Sequence, residues 1–384
     1  MKTRLVQFLI SILKYALRFI YFFLKLLPTN KQKVVFCSRQ SNEIPLDFIL
    51  IQEELAKRDK AIKSISICKH ISNNLCSYIK YIAGLFKSMY HIATGSICII
   101  DSYWPAVSLL NHKKGTIIMQ LWHSIGKVKQ SGYQTIGKKT GRKIEYAKAL
   151  NMHGNYDYII AGSKIWNKFY CESFNTTEDK LLNFGLPRID YLLNTEQKNR
   201  CKFFMEHPEW AKRKVVLYAP TFRKNMKTHW QSILDAAEDE NFILIIKKHP
   251  GQEIHISTKA TNVVFMEDWD TIDLLAVCDA LITDYSAIAI EAAVLKKRTY
   301  YWVYDYEQYM QNNGLNIGLY EQFPGYVFSD INELFEKMQK EEIGNNMHCT
   351  YPREYLPDNL GSSTKQIVDL VIELMNRKVN GQIL

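Results

Sequence analysis

The feature that most constrains this chain is a double series of short β-rich runs, each followed by a helical stretch. The runs "KVVFCS" (33–38), "IKSISIC" (62–68), "SICIID" (96–101), "GTIIMQLW" (115–122) and "YDYIIAG" (156–162) form the first series. "KVVLYAP" (214–220), "NFILIIKKHP" (241–250), "NVVFMED" (262–268), "DALITDYS" (279–286) and "RTYYWVYD" (298–305) form the second. Runs apolar at consecutive positions suit strands covered on both faces, and helices between them, such as Leu46–Lys57 and Gly141–Met152, imply right-handed parallel crossovers. The expected architecture is α/β, with two Rossmann-like domains facing across a cleft. The expected divisions are an amphipathic helix over 1–28, an N-terminal domain over 29–193 and a second domain over 194–360. A C-terminal helix over 361–384 is expected to pack back across the junction. The polar helical stretch 194–213 divides the series, and no internal repeat appears.

In sheets of this kind ligands sit beyond the carboxyl ends of the strands, so the residues just past each run matter most. They are polar and cationic: His123 after "GTIIMQLW", Thr221 and Arg223 after "KVVLYAP", Lys247, Lys248 and His249 after "NFILII", and Asp284, Tyr285 and Ser286 after "DALIT". Such a set suits a phosphate-bearing ligand. In "DALITDYSAIAIEAAVL" (279–295) the strand gives way to a helix whose first N–H groups, on Ser286, Ala287 and Ile288, form an anion seat strengthened by the helix dipole. Glu291, further along that helix, is placed to accept from ribose hydroxyls. A plain N-cap at Asp284 or Ser286 explains the same pattern. His249 precedes a proline that halts the strand and holds it extended.

"LWHSIGKVKQSGYQTIGKKTGRK" (121–143) sets His123 at the lip of a strand and places Lys127, Lys129, Lys138, Lys139, Arg142 and Lys143 after it, among glycines. A histidine there is positioned to take a proton from an attacking hydroxyl, with the lysines gathering a polyanionic acceptor. A lone histidine that serves packing, and a solvated lysine run, are the simpler explanations.

The N-terminus differs. "RLVQFLISILKYALRFIYFFLKLL" (4–27) is apolar except for Arg4, Gln7, Ser11, Lys14, Arg18 and Lys25. Those six fall within an arc of about 80° on a helix. This is the pattern of a helix lying in an anionic bilayer interface, with a spanning helix as its rival. A helix packed on the protein's own core is disfavoured, because the apolar arc is too wide for one neighbour to cover. The charges and the lack of a small-residue cleavage site argue against a signal peptide. The formal net charge of +10 points the same way, towards anionic partners. The eight cysteines, at 37, 68, 76, 98, 171, 201, 278 and 349, include no C-x-x-C pair. They read as reduced core thiols of a cytosolic protein, not as a zinc site or a disulfide frame.

Taken in order, "LWHSIGKVK", "GLPRID" (185–190), "YAPTFR" (218–223), "KKHP" (247–250) and "DALITDYSAIAIE" (279–291) resemble the CDP-glycerol glycerophosphotransferase family, over roughly Val34 to Leu374. These are membrane-associated enzymes of teichoic acid and related capsule synthesis. The resemblance implies a GT-B-like fold. It also implies transfer of glycerol phosphate, or a related polyol phosphate, from CDP-glycerol to a hydroxyl of a lipid-linked polymer, with loss of CMP. By position it makes His123 the general base and His249 a second functional histidine that contacts phosphate. Thr221, Arg223, Asp284, Tyr285 and Ser286 match the family's donor-site segments. Lys248, Ala287 and Glu291 are expected beside them at the donor, and Lys127, Lys129 and Arg188 at the acceptor. Ser124 stands where the family often has glycine, and Ser286-Ala287 where it has paired serines. Lys365 and Gln366 stand where it commonly has an arginine. No acidic metal-binding cluster is apparent, so the expected stabilisation of the leaving phosphate comes from helix dipole and cations without an obligatory metal. The alternatives are a GT-B glycosyltransferase using a nucleotide sugar, a CDP-ribitol ribitolphosphotransferase, and a catalytically silent polymer-binding member, against which the pair His123 and His249 argues. Nucleic-acid binding is suggested by charge alone, without the interleaved aromatics of a stacking platform.

Overall fold

The computed structural model describes residues 2–71, 74–221, 229–237, 241–247, 260–341 and 351–379. Arg223, Lys248 and His249 lie outside the described residues. The chain divides into two compact units. The first comprises 1–125, 131–190 and 357–384; the second comprises 126–130 and 191–356.

The first unit holds a six-stranded parallel sheet of β1 (Lys33–Ser38), β2 (Lys63–Cys68), β3 (Ile97–Ile100), β4 (Ile117–Gln120), β5 (Tyr158–Ile160) and β6 (Leu181–Leu182), in the order β2-β1-β3-β4-β5-β6. Every residue of β1, β3 and β4 is buried, as a sheet covered on both faces demands. The second unit holds β7 (Lys214–Tyr218), β8 (Phe242–Ile246), β9 (Val263–Phe265), β10 (Ala280–Thr283), β11 (Arg298–Trp302) and β12 (Val327–Phe328), also all parallel, in the order β12-β11-β10-β7-β8-β9. Its core gathers Val216, Leu244, Ile282, Tyr300, Ile233 and Phe335. Burying side chains of this size contributes about 1.5–3 kcal/mol each, and truncating Leu244 to alanine is expected to cost about 2–5 kcal/mol.

The ten strands read from the sequence are present. The two-residue edge strands β6 and β12 are the additions, too short to carry a period. The terminal helix Ser363–Val379 packs on the helix Leu46–Arg58 of the first unit. Its start is fixed by Asp190 of "GLPRID", whose carboxylate accepts from the N–H groups of Ser363 (3.1 Å) and Thr364 (2.7 Å). Gly185 opens that motif at φ +77°, and a Cβ there would lie 2.9 Å from Pro357 Cγ and Ser363 Oγ. "GLPRID" therefore docks the C-terminal segment, which explains its glycine and its aspartate.

The N-terminal helix α1 (Lys2–Leu24) lies against α2 (Leu75–Ala93) of the same unit. Leu17 and Tyr21 are buried. Tyr21 O–H donates to His112 Nδ1 (2.9 Å), because His112 Nε2–H is committed to Val107 O (2.8 Å). Arg18, expected to face head groups, instead donates from Nε to Leu109 O at 3.0 Å. The opposite side of α1 leaves Phe8, Ile12, Leu13, Tyr15, Phe19 and Phe23 exposed. On α2, Leu75, Tyr78, Ile79, Ile82, Phe86 and Tyr90 are exposed as well, at the i, i+3, i+4, i+7 spacing of one helix face.

Candidate active site

Both sheets have a point where strand order reverses, and the polar residues collect there. In the first unit the reversal lies between β1 and β3, beside β4. After Gln120, Leu121 donates to Ile100 O (2.6 Å), and the chain then turns through Trp122 at φ +61°. A left-handed backbone costs a non-glycine residue about 1–2 kcal/mol. It is held by Gln120, whose Oε1 accepts the Trp122 N–H at 2.9 Å, and by the Trp122 ring packed on Phe174 (centroids 5.0 Å). The indole also lies against the His123 imidazole, with centroids 4.1 Å apart. The reversal turns His123 back over the strand ends. Its Nδ1 lies 3.0 Å from Asp101 O and 3.1 Å from Gln40 Nε2, and the residue is half-buried.

Asp101, at the end of β3, is 3% exposed. Its carboxylate accepts from Ser38 Oγ (2.6 Å) and Ser102 Oγ (2.9 Å). Burial pushes its pKa up to about 6, against the pull of those two hydroxyls. Beyond His123, Ser124 O accepts from Tyr170 O–H at 2.9 Å. Ile125 O then lies only 2.1 Å from where a Cβ on Gly162 would stand, so this loop passes over β5 where only glycine fits.

Residues 126–130 belong to the second unit, where they run alongside 314–316. Asn316 N donates to Val128 O (2.8 Å), Gln130 N to Gly314 O (3.1 Å) and Asn316 Nδ2 to Lys127 O (2.7 Å). The loop lysines thus part company. Lys129 Nζ reaches Thr221 Oγ1 at 3.5 Å, whereas Lys127 is 2% exposed and burial pulls its ammonium down to about 7. Lys127 is thus buried, in surroundings that disfavour its charged form, and not on the surface where a polyanion was expected to meet it.

The reversal in the second unit lies between β7 and β10. Thr221 comes after β7; Asp284, Tyr285 and Ser286 come after β10. Asp284 is 2% exposed, and its Oδ1 accepts from the N–H groups of Thr221 (2.9 Å) and Tyr285 (2.6 Å). Thr283 Oγ1 donates to Ala219 O at 2.7 Å. These bonds make the two loops one rigid turn. Tyr285 is fully buried, stacked on Tyr309 (centroids 3.8 Å), and its hydroxyl donates to Asp305 Oδ1 (2.9 Å). Its ring therefore supports the turn from beneath. Ser286 Oγ accepts from Ile288 N–H (3.4 Å) ahead of the helix Ile288–Val294, which takes one of the three N–H groups expected in the anion seat. Ala287 precedes that helix, and Glu291 lies within it, 7% exposed. Arg188, expected at the acceptor, pairs instead with Asp47, through Nε (2.8 Å), Nη2 and its own N–H (2.8 Å). Among the described residues no three His, Cys, Asp or Glu side chains group as a metal site.

The structure therefore groups Thr221, Asp284, Tyr285, Ser286, Ala287 and Lys129 at the carboxyl ends of β7 and β10, with Glu291 in the helix that follows. It sets His123 beyond the carboxyl end of β4 in the other sheet, buries Lys127 and pairs Arg188 with Asp47. The sequence reading omitted Ser38, Gln40 and Asp101. The strand-end rule, applied to "KVVFC" and "SICII" as it was to the other runs, finds all three.

Residues 19–373 match the family described as CDP-glycerol:poly(glycerophosphate) glycerophosphotransferase. The chain is 27% identical over 361 residues to a teichoic acid ribitol-phosphate primase of Bacillus spizizenii, covering 90% of this chain and 92% of that one. It is 29% identical over 264 residues to a teichoic acid glycerol-phosphate primase of Bacillus subtilis, covering 66% and 68%. Its fold is similar to that of the wall teichoic acid polymerase TagF in a form soaked with CDPG, with a TM-score of 0.75 at 16% identity over 99% of both chains. More distantly it is similar to a UDP-GlcNAc 2-epimerase of Methanocaldococcus jannaschii, with a TM-score of 0.57 at 11% identity over 89% of this chain and 99% of that one. The fold is GT-B-like, and the chain, a phosphotransferase, belongs to the CDP-glycerol:poly(glycerophosphate) glycerophosphotransferase family.

Proposed function

We propose that this enzyme transfers glycerol phosphate from CDP-glycerol to the terminal hydroxyl of a membrane-linked, teichoic-acid-like or capsular polymer. His123 Nε2 takes the proton of that hydroxyl, whose oxygen bonds to the β-phosphorus of the donor. The bond from that phosphorus to the bridging oxygen breaks, and the oxygen leaves on CMP. The observation that carries this reading is His123 itself: an imidazole at a strand-order reversal, held by a strained Trp122, in a chain of this family.

The donor diphosphate is assigned to Thr221, Ser286 and Ala287, with Asp284 and Tyr285 keeping the turn in shape and Glu291 meeting the ribose. Arg223, Lys248 and His249 are assigned to the donor phosphates by their place in the sequence. Lys129 is assigned to the anionic acceptor, while Lys127 and Arg188 are given structural work. Purified protein incubated with a lipid-linked acceptor and labelled CDP-glycerol, CDP-ribitol or UDP-sugars tests the reading by mass spectrometry of the product. Growth by glycerol phosphate is the expected result, and growth by a sugar would overturn it. A ribitol product is the second reading, favoured by the similarity to a ribitol-phosphate primase along nearly the whole chain.

Attachment is proposed to be peripheral, at the cytoplasmic face, through an anionic lipid surface. The exposed apolar faces of α1 and α2, which pack together, support this, with Lys80 and Lys87 exposed beside the α2 face. Deleting residues 1–28 is expected to release the protein from vesicles containing phosphatidylglycerol. Retention that disappears when Ile79, Ile82 and Phe86 are also changed to serine would hand the role to α2. Retention through both changes would refute the attachment.

A further inference from the structure

We propose that Asp101, Ser38 and Gln40 are positioning residues that hold His123 in the form protonated at Nδ1, leaving Nε2 as the base. The inference rests on the role of His123 given above and concerns how that role is prepared.

One atom decides the tautomer. A carbonyl oxygen can only accept, so the nitrogen 3.0 Å from Asp101 O must carry a proton. Neutral imidazole has one N–H, and placing it on Nδ1 leaves the lone pair on Nε2. The Gln40 amide faces the same nitrogen at 3.1 Å. Its nitrogen is drawn towards the ring, and a half-turn about its last bond, which leaves its shape unchanged, presents the oxygen to the Nδ1 proton instead. The Nδ1 proton then has two acceptors, and the opposite tautomer would set a lone pair against both.

Those acceptors are held in turn by the strand ends beneath them. The Asp101 carboxylate binds the hydroxyls of Ser38 and Ser102, at 2.6 and 2.9 Å. Each hydroxyl oxygen also accepts a backbone N–H from the segment after β1: Gln40 N to Ser38 Oγ at 3.1 Å, and Arg39 N to Ser102 Oγ at 3.2 Å. Arg39 closes the unit by donating from Nη1 to Tyr103 O at 3.1 Å. The ends of β1 and β3 are thus one hydrogen-bonded piece, centred on a carboxylate that the solvent hardly reaches. The same residue supplies the carbonyl to His123 from its main chain and, through Ser38, sets the backbone from which Gln40 reaches it. An aspartate at this position serves the imidazole without touching it through its side chain.

The test is the protonation site of His123, read by two-dimensional 1H–15N correlation on ring-labelled, full-length protein, its signal assigned by loss in His123→Ala. The wild type is expected in the Nδ1–H form at a pH where the ring is neutral. Gln40→Ala, Ser38→Ala and Asp101→Asn are each expected to admit the Nε2–H form. Each is expected to lower kcat roughly tenfold or more, with KM for CDP-glycerol changed less than about threefold. Ser38→Ala removes a single hydroxyl and guards against a variant that fails to fold. A wild-type ring in the Nε2–H form would overturn the proposal, as would folded variants that lose kcat with the tautomer unchanged or change tautomer with kcat intact. Failure of the underlying reading is separate: there, His123→Ala itself would keep wild-type turnover.

Discussion

Two buried aspartates mark the two strand-order reversals, Asp101 beside β3 and Asp284 after β10, and they are used in opposite ways. Asp284 accepts from backbone N–H groups of its own turn and of the loop after β7, so its charge is spent on shaping a rigid loop pair. Asp101 accepts from two serine hydroxyls, and its neighbour across the strand ends is an imidazole. One reversal is built as a scaffold whose small residues and hydroxyls suit an anion; the other is built around an imidazole, to which the acceptor proton is assigned. The same topological position on two similar sheets carries two chemistries, and the difference lies in what each aspartate binds.

That contrast can be broken or sharpened by substitution. The largest effect is expected at His123. His123→Ala should leave the circular dichroism spectrum and Tm close to wild type and reduce turnover by about 10²–10⁴-fold, the usual contribution of a general base. Wild-type turnover would remove the proton-transfer half of the comparison.

Asp101 comes next, through pH. Its folded pKa of about 6 stands above the ordinary 3.8, so the folded state binds the proton more tightly than the unfolded chain. Between those values the native protein holds more protons, and stability falls as pH rises from about 4 to 6, by roughly 3 kcal/mol in total. Asp101→Asn should flatten that part of the stability curve in urea titrations while lowering kcat. A steeper slope in the variant would contradict the assignment. Stability kept while turnover falls is the mark of a residue retained for activity.

Asp284→Ala should behave differently. It strands the N–H groups of Thr221 and Tyr285, costing about 1–3 kcal/mol, and it should raise the Kd for CDP-glycerol while leaving the pH profile of kcat in place. A changed pH profile with unchanged donor affinity would reverse the two roles. The smallest effect is expected at Lys129, whose replacement by alanine should raise KM for the anionic acceptor a few-fold, less so at high salt. Loss of donor binding instead would move Lys129 to the nucleotide.

Much of this was legible in the sequence, for a physical reason. Strands buried on both faces must be apolar at consecutive positions, and "KVVFCS" and "FILII" announce themselves. The residues after them fall at strand ends by topology alone. What escaped is pairing between distant parts of the chain. Arg188 looked like an acceptor contact because the arginine is visible locally, whereas Asp47 lies 141 positions away. The partners of Tyr285, Asp305 at its hydroxyl and Tyr309 at its ring, are equally invisible in the local sequence. Lys127 and Lys129 are two positions apart in one basic run, yet one is buried and the other is not, a distinction that the run itself does not carry. The left-handed Trp122 left no trace in composition, since no residue type demands it.

The division of labour is tested most directly by titrating CDP-glycerol into His123→Ala by calorimetry, alongside its turnover. The account predicts a Kd within about threefold of wild type in a protein that no longer transfers, since the imidazole is assigned to the acceptor proton. A Kd weakened as far as turnover falls would place His123 in donor binding and contradict the account.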